Sequence, residues 1–272
     1  MFKISDLRLV EIELFSYCNR KCPWCPNSYI DRKSNCHTFK LLKVLLNELK
    51  ENDYKGYISF SRYNEPMSNI DYFKQCLTEI HEALPDCTLV TNTNGDYITE
   101  DNLKGLLINE LSIMDYDNRG MEWCNKRLLD CNVVIDKTTD KYIYGHYGDM
   151  KILYYVDWRK HHIITDRGGN LSEYSNKVRD YICYEPLYFI GINYDGTVSP
   201  CCNIRNDASD MQRKYIIGDL CKNNLTDILN SNTRISLISD CMSCNFKEDS
   251  PCYYCMNKGG RYTKDGGGID YE

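Results

Sequence analysis

RLVEIELFSYCNRKCPWC, residues 8–25, decides the fold, because a strand runs directly into a loop of closely spaced cysteines. Residues 8–15 alternate apolar and polar side chains, the two-residue period of a strand. Downstream, FKLLKVLLNELK (39–50) places leucines at helical spacing, and the pattern then repeats. YISFS (57–61) and CTLVTN (87–92) read as strands, each followed by a helical stretch, IDYFKQCLTEIHEAL (70–84) and EDNLKGLLI (100–108). ELSIMDY (110–116), a helix around 119–129, CNVVI (131–135) and KILYYV (151–156) continue the series to a sixth strand. Strands alternating with helices at this spacing form parallel βαβ units with right-handed crossovers. The expected α/β fold is an open, partial (β/α)6 TIM-like barrel over residues 1–170. Ligands should collect at the C-terminal ends of its strands, where the loop 16–30 sits.

That loop reads Cys18-x3-Cys22-x2-Cys25. Three thiolates on a short loop can hold three irons of a cubane and leave the fourth open to a substrate, whereas four would saturate it. A zinc site completed by His37 is the alternative, although x3-x2 spacing is unusual for zinc. The chain has 16 cysteines. In a reducing compartment they are not a disulfide framework, which leaves metal thiolates and buried apolar thiols. Cys36, Cys76, Cys87, Cys124, Cys131, Cys202 and Cys221 lack clear ligand spacing and read as structural.

Among 272 residues, 42% are hydrophobic and the net charge is −6, so a core can form and no general basic field exists for nucleic acid. Asp6, Glu11 and Glu13 interrupt the first 15 residues, unlike a signal peptide, and no stretch is long and apolar enough to span a membrane. A soluble, cytoplasmic protein without nucleic-acid or membrane partners is expected.

After about residue 170 the pattern changes. YFIGINYDGTVSP (188–200) reads as two short strands turning at Asp195-Gly196, and NLTDILN (224–230) as a short helix. Cysteines crowd between 241 and 255. Residues 171–272 thus read as a small cysteine-rich domain held by metal, ending in a glycine-rich tail. Cys183, Cys201, Cys241 and Cys244 suit either zinc or an iron–sulfur cluster, and spacing alone does not decide.

C-x3-C-x2-C with Trp24 before the third cysteine, directly after the first strand of a β/α repeat, resembles the radical SAM superfamily. The resemblance implies that a [4Fe–4S] cluster on Cys18, Cys22 and Cys25 binds S-adenosylmethionine (SAM) through its open iron. Reductive cleavage then gives a 5′-deoxyadenosyl radical. Tyr63-Asn64-Glu65-Pro66 resembles the family segment that binds the SAM amino group, with Asn64 where glycine is usual. Thr91-Asn92-Thr93-Asn94-Gly95 resembles the segment near the SAM ribose. The Gly196-x4-Cys201 hairpin after Cys183 resembles the SPASM extension of radical SAM proteins, or its shortened twitch form, which carries auxiliary [4Fe–4S] clusters. One auxiliary cluster on Cys183, Cys201, Cys241 and Cys244 is the favoured assignment. Cys252 and Cys255 would replace one pair or support a second cluster.

The layout also resembles the twitch-type radical SAM alcohol dehydrogenases of aminocyclitol antibiotic biosynthesis, through Cys25-Pro26-Asn27, the C-x17-C spacing and Arg167-Gly168-Gly169. This implies Arg167 as a substrate contact and oxidation of a small sugar or cyclitol alcohol, the auxiliary cluster accepting an electron. Asp115, Tyr116, Asp136, Tyr155 and Asp157, near predicted strand ends, could assist loss of the hydroxyl proton. Peptide epimerisation or crosslinking is the alternative, and an epimerase thiol would be sought at Cys124 or Cys131. A reductase or flavodoxin-like donor would supply electrons.

Overall fold

Strand β1 (Leu9–Ile12) is apolar enough to be buried along its whole length, and it takes a central place in the sheet. The computed structural model describes residues 1–30, 32, 39–162, 164–175 and 177–256. Cys36, His37 and the glycine-rich tail lie outside that set. β1 pairs in parallel with β2 (Tyr57–Ser59), which continues in parallel through β3 (Thr88–Thr93) and β4 (Glu110–Met114). Helices Phe39–Glu51 and Ile70–Ala83 make the first two crossovers. Leu42, Leu45, Leu46 and Leu49 of the first, and Phe73, Cys76, Leu77 and Ile80 of the second, are buried against the sheet. Each such leucine contributes roughly 2 kcal/mol by burial. The third predicted helix is shorter, Glu100–Leu103, because the chain turns at Gly105 with φ of +69°.

The fifth predicted strand is the main departure. β5 (Val134–Thr138), β6 (Tyr142–Tyr147) and β7 (Met150–Tyr155) form an antiparallel meander, and only β7 lies parallel to β4. Three residues separate β5 from β6 and two separate β6 from β7, far short of the dozen or more that a parallel crossover needs. β5 is accordingly a mostly exposed edge. The sixth parallel strand comes instead from the C-terminal region: β8 (Phe189–Ile192) pairs in parallel with β1, in register from Leu9–Phe189 to Ile12–Ile192. β9 (Thr197–Ser199) and β10 (Gly218–Asp219) then extend the sheet antiparallel, and the expected hairpin turns at Asp195-Gly196. Six contiguous parallel strands, β8-β1-β2-β3-β4-β7, make the open barrel.

One apolar core joins the barrel strands to their helices. A separate, small cluster of Cys183, Ile204, Leu237, Cys241 and Cys252 lies in the C-terminal region. Helices Leu225–Leu229 and Asn232–Ser243 are capped there by Asn224 and Ser231. Among the described residues, no helix is long and apolar enough to cross a membrane.

Candidate active site

The loop after β1 is shaped by its own backbone before any ligand is considered. The Cys25 amide donates to the Cys22 carbonyl (2.9 Å), Ser28 Oγ to the same carbonyl (2.5 Å), and Pro26–Ser28 form a single 3₁₀ turn. Trp24 is buried, its ring 5.7 Å from Tyr116 with Arg159 5.0 Å above it. Arg20 bridges Asp96 (2.5 Å) and Asp117 (2.9 Å), tying the loop to the ends of β3 and β4.

A second set of contacts ties the loop to the C-terminal region. Arg32, 5% exposed, pairs with Glu13 (2.8 Å) and Asp207 (2.7 Å), and donates to the carbonyls of Ser16 (3.1 Å) and Tyr63 (3.0 Å). Arg205 also grips Asp207 and donates to Asn27 Oδ1 (3.1 Å), while Asn27 donates to the Tyr63 carbonyl. Glu11 and Glu13 alternate with Val10 and Ile12 along β1, so both carboxylates share a face. Glu11 meets Arg62 (3.3 Å), and Arg62 donates to the Ile204 carbonyl (2.8 Å). Sequence reasoning missed this frame. Its one available signal was two acids on one face of an otherwise apolar strand.

Above this frame lies a cavity of about 580 Å³. Cys18, Cys22 and Cys25 form one wall, with Glu65, Asn92, Thr93, Asn94 and Tyr116 beside them. Ser61, Arg62, Arg167 and Cys202 also line it, as do Tyr142, Tyr155, Trp158, His161 and His162. The predicted Tyr63, Asn64, Glu65, Asn92 and Asn94 all line the cavity; Thr91 does not. Tyr116 and Tyr155 also belong to it, whereas Asp115 and Asp157 do not: Asp157 accepts from the Gly120 amide (3.2 Å) and pairs with Lys160. Asp115 accepts from the amides of Arg119 (2.8 Å) and Asp157 (3.2 Å), and Asp136 meets His146 on the surface. Cys124 and Cys131 are buried in the core, away from the cavity, as are Cys76 and Cys87. Cys202, read as structural, lines it.

Glu65 is 2% exposed and accepts from Thr93 Oγ1 (2.7 Å), the Asn94 amide (2.8 Å) and the Met67 amide (3.1 Å). Burial pushes its carboxyl up to about 7, outweighing those hydrogen bonds, which pull it down. Burial likewise pushes the Tyr63 and Tyr116 phenols up. The Asn64 amide has neither its oxygen nor its nitrogen partnered although both are buried. An orphaned amide beside three thiols and a buried carboxylate suits a cavity built for a polar ligand.

Arg167, Gly168 and Gly169 follow one another with positive φ (51°, 67° and 82°), held by Asp166, which accepts the Gly168 and Gly169 amides. A Cβ at Gly168 would stand 3.0 Å from the Asn203 carbonyl, so only glycine fits closely. Gln212 Nε2 donates to the carbonyls of Gly168 (2.7 Å) and Asn203 (3.1 Å), clamping this turn to the segment after Cys201.

Five thiols meet at a second, much smaller cavity of about 20 Å³: Cys183, Cys201, Cys241, Cys252 and Cys255. Cys244, in a left-handed C-cap at the end of helix Asn232–Ser243, does not line it. Asn203 Nδ2 donates to Cys255 Sγ (3.3 Å). Hydrogen bonding with Cys241 lowers the Cys183 and Cys252 thiols and raises that of Cys241. Four buried thiols and the half-buried Cys201, beside Arg179, form a donor set suited to an iron–sulfur cluster.

Residues 183–256 match the family model for SPASM, an iron–sulfur cluster-binding domain. The S-adenosyl-L-methionine-dependent 2-deoxy-scyllo-inosamine dehydrogenase of Niallia circulans is 28% identical over 227 residues, 81% of this chain and 81% of that protein. BtrN in complex with AdoMet and 2-DOIA superposes with a TM-score of 0.73 at 24% identity, covering 94% of this chain and 95% of that one. The chain shares the fold of this SAM-binding structure, and its C-terminal region matches SPASM. Other solved structures share this fold. BtrN in an open conformation gives 0.64 at 20% identity, over 92% of each chain. The anSMEcpe enzyme with bound AdoMet gives 0.52 at 14%, over 88% of this chain and 80% of that one. The open barrel therefore carries its cysteine loop at the C-terminal end of β1, and the SPASM-type region follows it.

Proposed function

We propose that this radical SAM protein oxidises a hydroxyl-bearing carbon of a small polyol of the aminocyclitol class. The observation that carries the reading is the placement of Cys201 and Cys202. Cys202 lines the large cavity and its chain neighbour Cys201 lines the thiol cluster, so one peptide unit separates the two chemistries. The 28% identity to a dehydrogenase acting on 2-deoxy-scyllo-inosamine supports the same reading.

In this reading Cys18, Cys22 and Cys25 hold the first [4Fe–4S] cluster. Cys183, Cys201, Cys252 and Cys255 hold one auxiliary cluster, with Cys241 as hydrogen-bond partner to its thiolates. When bound, the first cluster with SAM would supply the radical that takes a hydrogen atom from the carbinol carbon, the hydroxyl would lose its proton, and the auxiliary cluster would take up the remaining electron. Glu65 and Asn64 receive the polar end of SAM, with Asn92 and Asn94 beside it. Arg167 reaches the substrate from its clamped turn. Tyr116, whose phenol burial keeps protonated at neutral pH, serves as a hydrogen-bond donor and not as the base. The aromatic and histidine wall excludes water from the radical. A reductase or flavodoxin-like protein supplies electrons to the first cluster.

The test is anaerobic incubation of the reconstituted protein with SAM, a reductant and 2-deoxy-scyllo-inosamine deuterated at its carbinol carbons. Deuterium in 5′-deoxyadenosine together with a ketone product supports the reading. Cleavage of SAM without label transfer from any cyclitol or sugar alcohol counts against it.

One observation favours a second reading, inversion at carbon. The Cys202 thiol is placed to return a hydrogen atom, which Cys124 and Cys131 are not. Solvent deuterium in an unoxidised product, abolished by Cys202→Ala, would establish that reading and displace oxidation.

A further inference from the structure

Arg179 enters the thiol cluster from the segment just before Cys183. It is 3% exposed, so its charge has been taken out of water. Its guanidinium donates from Nη1 to the Cys255 carbonyl (3.0 Å) and from Nε to the Tyr181 carbonyl (3.0 Å). The rings of Tyr181 and Phe246 lie 4.4 and 5.5 Å from its central carbon. It lines the same small cavity as the five thiols, and Glu185 is the acid that lines that cavity with it. Burying a cation is costly unless negative charge lies nearby, and carbonyls and rings compensate only part of that cost. The thiols, with the Glu185 carboxylate, are the sources of negative charge that line this cavity with Arg179.

We propose that Arg179 sets the reduction potential of the auxiliary cluster. The inference rests on the reading of these thiols as cluster ligands. A reduced cluster carries one more negative charge than an oxidised one. A fixed buried cation therefore stabilises the reduced state more and raises the potential. Charge and hydrogen bonding at the sulfurs are recognised levers on such potentials. The consequence is a site better able to accept an electron from a substrate held beyond Cys202. Arg179 acts through the cluster and touches no substrate, so it is a positioning residue.

The test uses full-length protein carrying Cys18→Ala, Cys22→Ala and Cys25→Ala, so that only auxiliary iron titrates. Absence of iron from this background would refute the cluster reading itself. With about four irons present, the midpoint is read by anaerobic redox titration with EPR detection. Arg179→Met is expected to lower the reduced-to-oxidised ratio at fixed potential about tenfold, ~59 mV toward negative potential for one electron. Arg179→Gln, which keeps an amide donor but not the charge, should follow Met. Arg179→Lys, which keeps the charge but not the fork, should stay within about threefold of the parent. An unmoved potential in the iron-loaded neutral variants, or equal shifts in Lys and Met, would overturn the inference. So would loss of iron from both neutral variants with retention in Lys, because the charge would then hold the cluster instead of tuning it.

Discussion

Arg32 offers the sharpest test of how the site is framed. Its side chain is 5% exposed, Glu13 is 1% and Asp207 is 13%, so Arg32→Met leaves two carboxylates in low dielectric without their shared cation. Removing one partner of a buried pair costs about 3–5 kcal/mol. Arg205 remains on Asp207 at 2.8 Å, so the loss falls mainly on Glu13. At 2–4 °C per kcal/mol for a chain of this size, the expected fall in Tm is on the order of 10 °C. Burial alone would raise the Asp207 carboxyl, but Arg205 and Arg32 together hold it below the usual carboxylate range. Its contribution is therefore complete above about pH 4 and is lost as pH falls through its folded value, so the deficit should be level between pH 6 and 8. Differential scanning fluorimetry under anaerobic conditions reads the shift. Adding Glu13→Gln to Arg32→Met should recover a good part of it, because the stranded charge is gone while one amide oxygen still accepts from Tyr63 or Tyr194. A fall below about 2 °C, or a double variant no more stable than the single, would show that the ion pair is not what couples the loop to the C-terminal region.

Glu65→Gln should weaken SAM binding at least tenfold in anaerobic equilibrium dialysis, since an amide meets the three donors around it with one acceptor only. Because burial raises the Glu65 carboxyl to about 7, the folded chain holds that proton more tightly than the unfolded chain. Its stabilising effect is greatest at acid pH and is lost as pH rises through 7, so stability relative to the Gln variant should decline by on the order of 3 kcal/mol between pH 5 and 7.5 in urea titrations; a flat difference would refute the shift. Cys255→Ala should lower iron from about eight to about four per chain while Cys244→Ala leaves it unchanged, and the reverse order would return Cys244 to the ligand set. Gly191→Ala places a methyl 1.6 Å from Arg62 Nη1, expelling that guanidinium from Glu11, and should cost about 3 kcal/mol or more by the same urea assay.

The elements that the sequence revealed are those whose signal is local. Leucines at helical spacing placed the helix, read as 39–50 and found at Phe39–Glu51. Alternation placed β1, although it ends three residues before the expected 15, and KILYYV (151–156) fell within a residue of β7. Strand direction is a different matter, because it depends on connection length. The residues between β5 and β7 look equally strand-like in a parallel or an antiparallel sheet until the two-residue and three-residue turns are weighed. The pairing of β8 with β1 joins residues 180 apart, and no window on either strand records it.

The same division runs through the site. Cys18, Cys22, Cys25 and Glu65 were legible because short-range spacing places them at adjacent strand ends, where the cavity now lies. The choice between Cys244 and the Cys252–Cys255 pair was not, because both make C-x2-C with the same upstream partners. The structure brings Cys252 and Cys255, and not Cys244, to the lining of the thiol cavity, and helix Asn232–Ser243 ends on Cys244 in a left-handed cap. Cys201 and Cys202 carry the point furthest. Neighbouring Cα atoms are about 3.8 Å apart, yet their side chains can face opposite sides of one backbone segment. Gln212 clamps that segment to the Arg167 turn, so the spacing between the cavity and the thiol cluster is fixed by covalent geometry and one buried amide.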